Sequence, residues 1–181
     1  MRGFLIAAII VAAIAAFWDF KKGVIPNWVT LPPLLIAPVA HFVHAMATGA
    51  TREAALIEGG SSLFGALFAA LVPFVLYRQS AIGGGDLKAF AALGAICKIS
   101  VGIELEMYAF ILATLIAPAR LAYQGKLLQT LKNAGTIGLN FFRQKEKKQP
   151  VDAEALSWFR LGPLMFVGTL LAAFLHWDST E

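Results

Sequence analysis

Residues 59–77 read GGSSLFGALFAALVPFVLY, nineteen positions without a charge. That run approaches the roughly 20 residues an α-helix needs to cross the hydrocarbon core of a bilayer. Other predominantly apolar runs lie on both sides of it. Residues 3–18 are uncharged up to Asp19, residues 28–47 follow a short polar link, and residues 86–101 follow a glycine-rich loop. Two further runs, 107–119 and 158–177, complete the set. The expected fold is therefore all-α: a polytopic integral membrane protein with about six transmembrane helices, residues 1–181 forming one membrane domain. Composition requires the same class. The chain is 59% hydrophobic and 14% charged, with a mean hydropathy of +0.72, more apolar surface than a soluble domain of this size can bury. Residues 3–18 lack a small-x-small cleavage site and are expected to be retained as the first span.

The links between runs carry their own signals. Gly23 can end the first helix and Pro26 can start the second, while Pro32, Pro33 and Pro38 are expected to bend it. Residues 48–58 read as a polar hairpin. Lys98 is expected near the far end of the fourth span, and Glu104 with Glu106 at a surface before the fifth. Residues 126–148 alternate apolar side chains with Lys132, Arg143, Lys145, Lys147 and Lys148, the pattern of a basic helix on an anionic membrane surface or of a plain basic loop. Twelve of the fifteen Lys and Arg fall in the first, third and fifth links. The positive-inside rule makes those links cytoplasmic, including a basic loop at about 120–157. The net charge of +4 is then a matter of membrane orientation, with the lipid bilayer as partner and no nucleic acid. Cys97, the single cysteine, excludes an internal disulfide and reads as packing.

Two carboxylates fall on that cytoplasmic face. Gly83-Gly84-Gly85-Asp86 sets bare backbone beside an aspartate placed to cap the next helix. Asp19 closes the first span. Two carboxyls brought close together share a proton, so that one can activate water while the other protonates a leaving group, the chemistry of an aspartic protease. Carboxylates inside a membrane also serve proton-coupled transport, and the pair could belong to a small transporter or a membrane scaffold instead. Within the pair, Asp86 begins its helix, where the dipole favours a carboxylate, and Asp19 ends its own, so Asp86 is the expected base and Asp19 the expected acid. Lys88 would reinforce that assignment. Pro26 and Asn27 are expected to shape the turn beside Asp19. His41 and His44, without a third ligand, read as packing, and no metal or cofactor is expected.

These residues resemble a known family. Gly83-Gly84-Gly85-Asp86 fits the Gly-x-Gly-Asp signature of intramembrane aspartic proteases, and Asp19 followed by Lys21-Lys22-Gly23-Val24-Ile25-Pro26-Asn27 is similar to the first-aspartate region of type IV prepilin peptidases. Arg160-Leu161-Gly162-Pro163 looks like that family's Gly-Pro segment before the last span. The resemblance implies a single transmembrane peptidase domain with Asp19 and Asp86 as its catalytic pair. It implies a prepilin substrate with a basic leader and a hydrophobic helix, cut at the cytoplasmic face of a bacterial inner membrane. Arg2 runs straight into the first span with no cysteine-rich segment before it, which resembles the compact form found with Tad/Flp-type pili and leaves N-methylation without a legible site.

Overall fold

A computed structural model describes residues 2–123 and 160–177, and only the backbone of 117–122. Five helices follow in order: α1 (Arg2–Lys22), α2 (Asn27–Ala47), α3 (Arg52–Arg78), α4 (Gly84–Tyr123) and α5 (Gly162–Leu175). The described residues contain no strand. Among them α1, α2, α3 and the Gly84–Ile116 stretch of α4 are long and apolar enough to cross a membrane, and α5 is a shorter apolar helix of 14 residues.

Helix α4 is not one rod. At Lys98 its backbone leaves helical geometry, with φ 63° and ψ −172°. Phe90 and Phe110 stack with ring centroids 5.4 Å apart, whereas a straight helix would hold them about 30 Å apart. A Cβ placed on Gly102 would lie 3.0 Å from the Cα of Gly94. The arms on either side of Lys98 therefore run back along each other. The six expected spans correspond to α1, α2, α3, the two arms of α4, and α5.

This turn corrects the expected boundary between the fourth and fifth spans. The first arm ends before Lys98, not at residue 101, and Glu104 and Glu106 lie inside the second arm instead of at a surface link. Each charge has a different use. Lys98 marks the turn and pairs with Glu58 of α3. Glu104 pairs with His176 beyond α5 at 2.7 Å. Glu106 is 5% exposed and shares the inner face of its arm with Val101, Leu105 and Ala109. Close backbone approach makes the turn possible: a Cβ on Gly65 of α3 would lie 2.2 Å from the carbonyl oxygen of Gly94 and 2.7 Å from the Cα of Lys98.

Other boundaries shift for local reasons. Helix α3 starts at Arg52, because Thr51 caps it by accepting the Ala54 N–H at 3.3 Å, so 52–58 are helical and the hairpin is shorter than expected. Helix α2 continues through Pro32, Pro33 and Pro38. Helix α5 begins at Gly162. The basic segment 126–148 lies outside the described residues.

The buried faces explain the bundle. On α1, Leu5, Ala8, Ala12, Ala15 and Asp19 are buried at three- and four-residue spacing. The outward faces are large and apolar: Leu35 is 73% and Ile57 71% exposed, which suits contact with lipid. Helix α4 packs against every other helix. One end of the bundle gathers Phe4, His41, His44, Glu58 and Lys98 around a cavity of about 300 Å³. There the buried His41 ring stacks on Phe4 with centroids 3.7 Å apart, and its Nε2 donates to the Ile96 carbonyl at 2.9 Å. The aspartates lie at the other end.

Candidate active site

The end of α1 sets the first carboxyl. Gly23 takes φ +73°, and its N–H donates to the Asp19 carbonyl at 2.8 Å. This is the left-handed cap that ends many helices, and it leaves Asp19 in the last turn with its side chain on the buried face. Asp19 is 6% exposed. Helix α5 starts against it. The Gly162 N–H, one of the amides that a helix N-terminus leaves unpaired, donates to Asp19 Oδ2 at 2.9 Å. Arg160 Nη1 donates to the Asp19 carbonyl oxygen.

The start of α4 sets the second. The helix begins at Gly84, so Asp86 is its third residue and not the residue just before it, as the sequence suggested. It still caps. Asp86 Oδ2 accepts the Gly83 N–H at 3.1 Å, the back-bond that a third-position carboxylate makes in a capping box. The glycines are used by the chain itself: a Cβ on Gly85 would lie 3.2 Å from the backbone N and O of Ile25, and one on Gly84 would lie 3.4 Å from the Tyr77 ring. The bare backbone at Gly85 faces the link between α1 and α2. Lys88 does not reinforce Asp86 by direct contact; its Nζ donates to Asn27 Oδ1 at 2.9 Å, tying α4 to the first residue of α2. Pro26 is the residue before α2, with φ −67° and ψ 148°.

Asp19 and Asp86 stand at the same end of the bundle, because Gly85, beside Asp86, lies against Ile25 of the link that follows Asp19. Each has one oxygen held by a backbone amide, and neither has a side chain of opposite charge bonded to it among the described residues. Lys21 and Lys22 stand over the Phe17 and Trp18 rings, at 5.7 Å and 4.3 Å from the centroids. The arrangement leaves a second oxygen on each carboxyl for a water or a shared proton.

Sequence reasoning did not find the grip of α5 on Asp19. Arg160 and Gly162 had no role assigned to them, because nothing in their spacing connects them with a residue more than a hundred positions earlier. Gly23 carried a partial signal as a helix terminator.

The profile of the Type IV leader peptidase family matches residues 6–118, well over half of the chain and both aspartates. The chain belongs to the type IV leader peptidase family. It is also similar to the Prepilin leader peptidase/N-methyltransferase of Vibrio cholerae serotype O1, with 29% identity over 100 residues. That match covers 55% of this chain and 36% of the relative, so the chain spans well under half of that protein's length. No solved structure matches. The family match ends before Arg160, so the contacts of α5 with Asp19 are features of this structure beyond the matched region.

Proposed function

We propose that this family member is a membrane aspartic endopeptidase of bacterial inner membranes that removes the basic leader of type IV prepilins, of the Tad/Flp-like kind, at the cytoplasmic face. The observation that carries the reading is the gathering of Asp19 and Asp86 at one end of the bundle, where the residue before Asp86 lies against the link that follows Asp19 and each carboxyl accepts one backbone amide. Helices α1 and α4 come together there at the end that also holds Lys21, Lys22, Arg78 and Lys88, the basic end that the positive-inside rule assigns to the cytoplasm.

The chemistry then follows the pair. Asp86, three residues into α4, sits at the positive end of its helix dipole and acts as the base; Asp19 closes α1 but also accepts the first amide of α5, so the helix ends alone do not set its charge, and it takes the role of acid as the partner of Asp86. Asp86 takes a proton from water as the water oxygen bonds to the scissile carbonyl carbon, and Asp19 gives a proton to the amide nitrogen as the C–N bond breaks. The products are a free leader carboxylate and a free amine on the mature pilin. No cofactor is needed for this hydrolysis.

The test is cleavage of a prepilin by the purified protein in proteoliposomes. Asp19→Asn and Asp86→Asn should each lower turnover by at least about 10³-fold while the helical content of the protein is unchanged. A variant that processes prepilin at the normal rate would remove its residue from the mechanism. Proton flux without any shortened product would overturn the peptidase reading in favour of transport.

A further inference from the structure

We propose that Arg160 is a positioning residue for the reaction, holding the Asp19 carboxyl in place through the backbone of α1; this rests on the proposed function above. Four observations converge on it. Arg160 Nη1 donates to the Asp19 carbonyl oxygen. The same oxygen accepts the Gly23 N–H at 2.8 Å, so it carries both the helix cap and the guanidinium. Two residues further on, the Gly162 N–H holds the Asp19 carboxyl itself at 2.9 Å. Finally, the guanidinium fills the space over Gly23, where a Cβ would lie 2.7 Å from Nη1.

The consequence is a clamp made by residues 160–162 on a single residue of α1. Arg160 holds the backbone and Gly162 holds the side chain. A guanidinium suits the task because the end of a helix presents unpaired carbonyls and a partial negative charge, and because a planar group can lie flat over a glycine. Gly23 is then required for two independent reasons. Its φ of +73° disfavours any side chain, and a side chain there would have to displace the guanidinium. Arg160 bonds to no side chain of the pair and so acts through Asp19, not on the substrate.

Displacing a reacting group by about 1 Å can cost about 10²-fold in rate. Arg160→Gln should therefore lower kcat for prepilin cleavage by about 10²-fold and leave KM within about twofold, and Arg160→Lys, which keeps a donor and the charge, should recover part of that loss. The experiment uses the full chain in proteoliposomes, with turnover expressed per folded molecule from a thermal unfolding curve. A normal kcat in Arg160→Gln overturns the inference, as does a raised KM with unchanged kcat, which would make Arg160 a substrate contact. Loss of stability with unchanged turnover per folded molecule overturns it too. If the glutamine variant does not fold, the lysine variant and a double-mutant cycle decide. Gly23→Ala should cost less activity beside Arg160→Ala than alone, and equal costs would sink the proposed contact. Asp19→Asn serves as the control: if it stays active the catalytic assignment itself fails, whereas a dead Asp19→Asn beside a normal Arg160→Gln removes the clamp alone.

Discussion

The two ends of the bundle hold their charges in opposite ways. At one end Glu58 and Lys98 pair side chain to side chain, and His176 pairs with Glu104. At the other, Asp19 and Asp86 are held by the backbone amides of Gly162 and Gly83. A carboxylate matched with an ammonium has spent its charge on structure. One oriented by an amide through a single oxygen is fixed in position while its other oxygen remains open to react. The difference separates a fastening from a reactive centre more sharply than burial or residue type does, since acidic residues occur at both ends.

The largest effects that would break this comparison come from two glycines. Gly162→Ala would put a Cβ 2.7 Å from the Cβ of Asp19, and Gly65→Ala would put one 2.2 Å from the carbonyl oxygen of Gly94. The first should cost about 10²-fold in cleavage by moving the carboxyl, with most of the protein still folded. The second should cost about 3 kcal/mol or more of stability by forcing α3 from α4, with near-normal activity in whatever remains folded. Prepilin turnover and thermal unfolding measured on both variants would separate the ends; a Gly65→Ala protein that is stable yet inactive would contradict the division.

A smaller effect tests the fastening directly. Glu58→Gln removes a pair whose side chains are 20% and 44% exposed, so solvent screening limits the loss to about 1 kcal/mol or less. Cleavage should be unchanged, and added salt should shrink the difference in melting temperature between variant and parent. A loss of turnover would tie this end to catalysis. The smallest effect is expected of Lys98→Gly. It relieves roughly 1 to 2 kcal/mol of the strain that a positive φ costs a side chain at φ 63° and ψ −172° but gives up the same ion pair, so the net change should stay within about 1 kcal/mol. A much larger destabilisation would mean that the pair is worth more than its exposure suggests.

The fold was legible in sequence wherever one run of residues settles the matter. Apolar stretches marked the helices, and Gly23 and Pro26 marked the first turn. What misled was the use of charge as a surface marker. Glu106 is charged yet faces the interior, which the neighbouring 101, 105 and 109 positions signalled by their spacing. Asp19 likewise continues the buried stripe of Leu5, Ala8, Ala12 and Ala15, a periodicity that a segment scan for uncharged runs does not weigh. The pairing of Gly85 with Ile25 and of Arg160 with Asp19 was not legible, because each depends on how separate helices meet and not on any local pattern. Of the Gly83-Gly84-Gly85 run, Gly85 is the residue packed against another segment's backbone, and that segment is the protein's own link.

The reversal at Lys98 also bears on how the chain enters its membrane. The arm before it, residues 84–97, extends about 21 Å at 1.5 Å per residue, well short of the roughly 30 Å hydrocarbon layer. A segment of that length is a poor candidate for insertion alone. With a single non-helical residue between the arms, the translocation machinery would receive them as one unit, a helical hairpin delivered whole. Asp86 would thus reach its depth only when the second arm follows, and assembly of the aspartate pair would be coupled to completed insertion of α4.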